Sequence, residues 1–321
     1  MRGRFAPSPT GYIHLGNVWS AFVAWLQVRQ QKGTLVLRIE DIDEQRSKKV
    51  YEKALMKDLT WLGLHWDEGP DRPGTRGPYT QQERYPLYEK ALAYLREKGL
   101  LYPCYCSRAR LQAIGAPHKG ERMIYDGHCY GMSEEERAVM KKKPSWRVHV
   151  PEETISFTDG IMGERQGALC EVCGDFVVKR ADGLYAYQLA VSVDDWLMGI
   201  THVVRGLDLL SSTEQQIWLI RLFGGTSPTY CHVPMVVDEE GNRLSKRQEG
   251  ITIGQLREEG ATADGILSYL AYRGGLITNF AYLNREELIA SCDLTKLTDA
   301  AIIIRNGDLD ALKQRRDIRH M

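Results

Sequence analysis

The sequence has no apolar run near the roughly 18 residues that a membrane-spanning helix needs. Its first residues are charged and proline-bearing, where a secretory signal would carry an apolar core. The expected location is therefore the cytoplasm. Net charge is also missing, because 42 Lys and Arg balance 42 Asp and Glu. No global field draws the chain to nucleic acid, and any RNA contact must use a local basic patch. Internal repeats and low-complexity stretches are absent too. Cysteines number seven, an odd count clustered unevenly in a large chain, which argues against a disulfide framework and for thiols or metal ligands. What remains is a globular composition, 43% apolar and 26% charged over 321 residues, long enough for a sizeable core and two domains.

Two separated segments hold the residues with chemistry. The first is Arg4-Phe5-Ala6-Pro7-Ser8-Pro9-Thr10-Gly11-Tyr12-Ile13-His14-Leu15-Gly16-Asn17. Pro7 and Pro9 keep its start extended, and Thr10-Gly11 makes a turn. A helix is predicted from Gly16 or Asn17, with Val18, Phe22, Trp25 and Val28 on one apolar face. Strand, glycine turn and helix start make an anion site: glycine at 16 admits a phosphate to the backbone, and free N–H groups of the first turn supply positive potential. His14 and Asn17 then stand where they donate to phosphate oxygens. Taken alone, a histidine in such a place more often has a structural role. The second segment, Arg243-Leu244-Ser245-Lys246-Arg247, follows a turn at 238–242 and an apolar run, 233–237, that reads as a buried strand. A basic loop at a strand end suits polyphosphate.

Between these segments, 34–39 reads as a second buried strand that delivers Glu40, Asp41 and Asp43 to its carboxyl end, where open parallel sheets bind ligands. Helices are predicted over 44–62, with Val50, Ala54, Leu55, Leu59 and Leu62 inward, and over 85–98, closed by Gly99. Residues 185–193 lead into Asp194-Asp195, 202–205 form a strand, and 211–223 a helix capped by Ser211 or Ser212. Later helices are placed at 253–258, 263–272 and 285–291. Cysteines and short strands between about 100 and 182 mark an inserted domain. The expected fold is α/β, a doubly wound Rossmann-like parallel sheet (1–99 and 183–250) with that insert (100–182) and a helical C-terminal region (251–321). The basic end, 313–319, reads as a solvated tail, with RNA contact as the alternative.

Cys104-Tyr105-Cys106 places two thiols close together, and Tyr125-Asp126-Gly127-His128-Cys129 adds a third. This looks like structural zinc. His128 competes for the fourth position. Cys170-Glu171-Val172-Cys173 offers a second pair, so a site from Cys104, Cys106, Cys170 and Cys173 stands as an alternative, and buried unmetallated thiols as another. Cys231 and Cys292 stand alone and read as core.

His14-Leu15-Gly16-Asn17 resembles the HIGH motif, and Arg243 to Arg247 the KMSKS motif, of class I aminoacyl-tRNA synthetases. Arg4 to Gly11, Arg38-Ile39-Glu40-Asp41-Ile42-Asp43, Tyr187-Gln188-Leu189-Ala190, Val193-Asp194-Asp195 and Val203-Val204-Arg205-Gly206 narrow the resemblance to the glutamyl branch. The glutamyl-queuosine tRNA(Asp) synthetases of that branch pair two cysteines one residue apart with a tyrosine and a cysteine four positions after it. Cys104, Cys106, Tyr125 and Cys129 match that set. Val191, apolar where full glutamyl enzymes tend to carry an amide, agrees, as does a chain that stops near where an anticodon-reading domain would begin.

The resemblance implies an ATP-dependent ligase. It would activate L-glutamate with Mg²⁺ and ATP in the absence of tRNA, then pass glutamate to queuosine in the anticodon of tRNA(Asp). His14, Gly16, Asn17, Ser245 and Lys246 would bind ATP, with His14, Asn17 and Lys246 catalytic. Arg4 and Tyr187 would hold the side-chain carboxylate, Glu40 and Ser8 the ammonium and Arg205 the remaining carboxylate, beside Phe5, Ala6 and Pro7. Plain alternatives stand beside these roles: an ion pair or cap for Glu40 and Asp41, core packing for Tyr187, and an ion pair with Asp194, Asp195 or Asp208 for Arg205. For the whole chain the alternatives are a fragment of a tRNA(Glu)-charging enzyme and a non-catalytic paralogue binding ATP or tRNA. Nothing demands more than a monomer.

Overall fold

The computed structural model describes residues 1–107, 109–111, 124–244 and 252–314. The chain opens with β1 (Arg2–Phe5), α1 (Leu15–Gln30), β2 (Thr34–Leu37), α2 (Lys49–Leu62) and α3 (Tyr85–Glu97). Its middle supplies β3 (Leu101–Cys104), α4 (Glu134–Ala138), β4 (Ser145–Val148), β5 (Thr154–Asp159), β6 (Gly163–Ala168), α5 (Leu169–Val172) and β7 (Phe176–Lys179). There follow α6 (Tyr187–Leu197), β8 (His202–Gly206), a 3-10 turn at Leu207–Ser212, α7 (Thr213–Leu222), β9 (Thr229–Val233) and β10 (Val236–Val237). The last elements are α8 (Ile253–Glu258), α9 (Ala263–Arg273), α10 (Arg285–Ser291), β11 (Ile302–Ile303) and α11 (Asn306–Lys313).

The main sheet runs β2-β1-β8-β9-β5-β6, parallel from β2 through β5 and antiparallel at the β5–β6 hairpin. Alternate residues of one strand enter opposite cores. Leu35 and Leu37 join Phe22 and Trp25 of α1, and Val36 joins Tyr88 and Leu92 of α3. Helices therefore cover both faces, as the unbroken apolar run of β2 requires. Gly3 permits the close seat of α1 on β1, since a Cβ there would meet Val28 Cγ2 at 2.6 Å. The chain leaves β1 toward β2 on one side and toward β8 on the other, so the sheet's carboxyl edge opens between β1 and β8, the ligand-binding place of such folds.

Several elements differ from expectation for local reasons. The helix expected over 44–62 begins at Lys49, because Arg46 and Ser47 turn back onto the Asp43 carbonyl and the Lys48 amide donates to Pro9. Its buried face is Leu55, Asp58, Leu59 and Leu62, while Val50 is exposed. The strand expected over 233–237 is two, broken at Pro234-Met235, and β10 pairs with β11. Helix α7 starts at Thr213, and Ser212 does not cap it with its side chain but accepts from Gln188 Nε2 at 3.0 Å. Residues 100–182 feed two sheets: β3-β4-β7 stand apart, and β5–β6 extends the main one. Among the described residues no helix is long and apolar enough to cross a membrane.

Candidate active site

A cavity of about 500 Å³ opens at the carboxyl ends of β1, β8 and β9. Arg4, Phe5, Ala6, Pro7, Ser8, His14, Gly16, Asn17, Glu40, Tyr187 and Arg205 all line it. Ser245 and Lys246 lie outside the described residues, but the preceding Arg243 and Leu244 reach the cavity wall. Val191, one turn from Tyr187 on α6, is fully buried.

His14 is the N-cap of α1. Its Nδ1 accepts from the Gly16 amide at 3.1 Å, its carbonyl accepts from the amides of Asn17 and Val18, and the His14 amide donates to the Asn17 side-chain oxygen at 3.1 Å. The amides of Gly16, Asn17 and Val18 are thus already used, contrary to the expectation that free amides of this turn would bind phosphate. The side chains of His14 and Asn17 stand among the donors that remain. With Nδ1 accepting, the neutral ring carries its proton on Nε2, and burial lowers the pKa of His14, which favours that neutral form. Gly16 leaves room for the ring, since a Cβ would stand 3.0 Å from it.

Charge in the cavity is set by residues behind it. Glu40 is buried at the end of the β2 segment, where Arg38 Nη2 donates to its Oε1 at 2.9 Å. Burial still leaves the Glu40 carboxyl above its ordinary pKa, despite Arg38 and Arg4 nearby. Arg4 donates to the Val204 carbonyl at 3.0 Å and stands 3.5 Å from Asp195. The Tyr187 hydroxyl is pushed up to about 12 by burial and by Glu40, so it is a neutral donor. The ion-pair role weighed for Glu40 is real, and the same carboxylate faces the cavity.

Arg205 is the exception. The ion pair weighed for it does not form: Asp208 pairs with Arg243, Asp194 with Arg84 and Asp195 with Arg38. Arg205 is buried and donates instead to neutral groups, His232 Nε2 at 2.9 Å, Gln216 Oε1 at 2.6 Å and Thr213 Oγ1 at 2.9 Å. Among the described residues no carboxylate makes a direct ion pair with it, and Asp195 acts on it only through space. Its partners were missed in the sequence. His232 stands in an apolar strand two residues before Pro234, a polar interruption that is a weak signal, and nothing in the sequence links it to Asp159.

The thiols of Cys104, Cys106 and Cys129 lie within 4.8 Å of one another, the one such group among the described residues. Cys106 and Cys129 are 3.6 Å apart, and the Tyr125 hydroxyl is 3.5 Å from Cys104 and 3.4 Å from Cys106. Thiolates at about 2.3 Å from a tetrahedral zinc stand roughly 3.8 Å apart, so the donor set fits. His128 is exposed and outside the cluster, Cys170 is exposed, and Cys173 donates to the Leu169 carbonyl. The four-cysteine alternative is not assembled. Cys292 is buried and Cys231 half-buried.

Fold and cavity together define a class I tRNA synthetase, and the family model "tRNA synthetases class I (E and Q), catalytic domain" matches residues 1–311. The chain is 48% identical over 319 residues to the glutamyl-Q tRNA(Asp) synthetase of Symbiobacterium thermophilum, covering 97% of this chain and 98% of that one. It is 43% identical to the protein of the same name from Nitratidesulfovibrio vulgaris, over 98% of each. The chain belongs to the glutamyl-Q tRNA(Asp) synthetase family. A glutamate tRNA ligase from Elizabethkingia meningosepticum, solved in complex with its amino acid, superposes with a TM-score of 0.84 at 28% identity, over 98% of this chain and 69% of that one.

Proposed function

We propose that the chain activates L-glutamate with ATP, without RNA, and transfers the glutamate to queuosine in the anticodon of tRNA(Asp). The observation that carries the glutamate assignment is the charge pattern of the cavity. Two buried arginines and one buried carboxylate line it, and Arg205 has no carboxylate of the described chain against it. A ligand with two carboxylates and one ammonium complements that pattern, and unpaired charges in so buried a place would be costly. In this reading Arg4 and Tyr187 hold the side-chain carboxylate, Glu40 and Ser8 the ammonium, and Arg205 the α-carboxylate, with Phe5, Ala6 and Pro7 forming the wall. The acceptor assignment has the support of the two family members at 43% and 48% identity.

Activation joins the α-carboxylate oxygen to the α-phosphorus of ATP and releases pyrophosphate, so the protein's task is to place two anions and spread the charge that develops. His14 Nε2–H and the Asn17 amide donate to the triphosphate, beside Gly16. Ser245 belongs to the ATP-binding set, and Lys246 acts on the departing pyrophosphate. Mg²⁺ brought in with ATP would offset the negative charge of the phosphates. Cys104, Cys106, Cys129 and Tyr125 would hold a structural zinc, which would tie the loop after β3 to the Tyr125–Cys129 turn, and Arg147 packs 3.8 Å over the Tyr125 ring. Residues 1–99 and 183–250 form the catalytic domain. The insert is assigned to 100–182, and its β5–β6 hairpin joins the main sheet, while the C-terminal region is assigned to 251–321, with α8 to α11 in its described part, 252–314. All these groups come from one chain, so a monomer suffices.

Transfer of labelled glutamate with ATP and Mg²⁺ tests the proposal, using tRNA(Asp) with queuosine, tRNA(Asp) without it, and tRNA(Glu). Label is expected only on the queuosine-bearing RNA. Label on tRNA(Glu) would make the chain part of a tRNA(Glu)-charging enzyme. No label and no pyrophosphate exchange would make it a non-catalytic binder.

A further inference from the structure

Three adjacent strands each contribute one residue to a line that ends in the cavity: Asp159 on β5, His232 on β9 and Arg205 on β8. Arg205 and His232 are register partners across β8 and β9. We infer that Asp159 and His232 are positioning residues for Arg205: Asp159 selects the His232 tautomer that accepts from the guanidinium and thereby aims Arg205 at the substrate. The inference rests on the reading that Arg205 holds a glutamate carboxylate.

The chemistry runs from the far end inward. Asp159 Oδ1 accepts from the amides of Ile161 and Met162 at 3.0 Å each and of His232 at 3.3 Å, which locks the carboxylate in the turn of the β5–β6 hairpin. Its Oδ2 lies 2.6 Å from His232 Nδ1. An ionised carboxylate only accepts, so Nδ1 bears the proton. A neutral ring then presents a lone pair at Nε2, where Arg205 Nε donates at 2.9 Å and the Thr213 hydroxyl stands at 3.3 Å. The other tautomer would set N–H against N–H. Burial lowers the His232 pKa, and burial of Asp159 is outweighed by the His232 bond and the two hairpin amides, which leave its carboxyl below the usual range.

The arrangement also explains why a histidine stands between the two charges. A carboxylate in direct contact would orient Arg205 equally well and would cancel its charge. The neutral imidazole, with Gln216, Thr213 and the Leu209 carbonyl, fixes the guanidinium through its donors and leaves its charge for a ligand. Ordinary metal-ligand histidines are oriented by carboxylates in the same manner.

Asp159→Asn is the near-isosteric test. Its amide oxygen keeps the hairpin amides, while its NH₂ meets Nδ1 and forces the other tautomer. In glutamate-dependent pyrophosphate exchange the KM for glutamate is expected to rise roughly 10- to 100-fold, with the KM for ATP within about twofold of the parent. His232→Gln and His232→Asn form a second pair. Gln offers its oxygen near the place of Nε2 and should largely rescue the glutamate KM, whereas Asn reaches only the place of Nδ1 and should not. An unchanged glutamate KM in a folded Asp159→Asn protein, or equal values for the two His232 variants, overturns the inference. Arg205→Lys separates the two layers. If it leaves the glutamate KM unchanged, the glutamate role of Arg205 fails and the positioning role with it. If it raises that KM while Asp159→Asn and His232→Asn do not, the positioning role alone fails.

Discussion

Arg38 and Asp195 face each other at 2.7 Å between Nη1 and Oδ1, with 0% and 2% of their side chains accessible. They are the centre of a buried network in which three arginines, Arg4, Arg38 and Arg84, meet three acids, Glu40, Asp194 and Asp195. Gln81 and Tyr88 complete the acceptor demand of Asp194 at 2.8 and 2.9 Å. Burial alone would push the Asp195 carboxyl up, but Arg38 and Arg4 outweigh it and hold it below the ordinary range. Two cavity residues, Arg4 and Glu40, are thereby tied to the interior, which fixes the cavity's charge before any ligand arrives.

Arg38→Met should therefore be severe. It leaves Glu40 and Asp195 without their main partner inside the protein, and loss of one member of a buried pair costs about 3–5 kcal/mol. Urea denaturation should show a large drop in midpoint. A midpoint like the parent's would mean that the acids are neutralised some other way.

Glu68 supplies a pH-dependent contribution to stability. Both its oxygens accept from Arg2 of β1, at 2.7 and 2.6 Å, and the Tyr79 hydroxyl donates to it as well. The Arg2 hydrogen bonds, opposed by burial and aided by Tyr79, bring its carboxyl from 4.5 to about 2. A pKa depressed on folding stabilises above the unfolded value and loses that stabilisation as pH falls toward the folded value. Glu68→Gln should cost about 1 kcal/mol at neutral pH, since solvent reaches the pair. The difference should shrink between about pH 4.5 and 2, read as Tm against pH. A difference constant through that range would remove the ion pair as its cause.

The sequence made the parallel sheet and the cavity legible because both rest on local patterns. The apolar run around Val36, the prolines before Thr10 and the ordered motifs from Arg4 to Arg205 each need only neighbouring residues to be read. Helices α8 and α10 fell at their predicted limits, with Thr252 and Asn284 as caps. The rest depends on distant pairing. Nothing near Arg205 reveals that its partner would be His232 rather than a nearby aspartate. Nothing near residue 159 reveals that a hairpin of the insert would join the main sheet. The role expected of free amides at Gly16 failed because the histidine two residues earlier takes that amide itself.

Zinc can be tested apart from catalysis. The fit of Cys104, Cys106, Cys129 and Tyr125 predicts one equivalent of zinc by elemental analysis, lost in Cys129→Ser and retained in His128→Ala, since His128 stands outside the thiol cluster. Chelation should lower the Tm, because a metal held there would join the loop after β3 to the Tyr125–Cys129 turn and its binding would stabilise the folded state. Zinc retained in Cys129→Ser and lost in His128→Ala would reverse the assignment.

The groups assigned to glutamate are held by their own chain: Glu40 by Arg38, Arg4 by the Val204 carbonyl and Arg205 by His232. No RNA is needed to bring them together. Glutamate-dependent exchange of pyrophosphate into ATP should therefore proceed without tRNA, at a rate that added tRNA(Asp) does not raise. Lys246, assigned to the pyrophosphate side, should affect only the step in which charge moves onto the phosphates. Lys246→Ala is expected to lower the exchange kcat roughly 10²- to 10³-fold, the usual loss for a removed transition-state donor, with glutamate affinity largely kept. Exchange that starts only when tRNA is added would mean that RNA completes the glutamate site. An unchanged kcat in Lys246→Ala would instead leave the triphosphate to His14 and Asn17, the donors that the first turn of α1 already presents to the cavity.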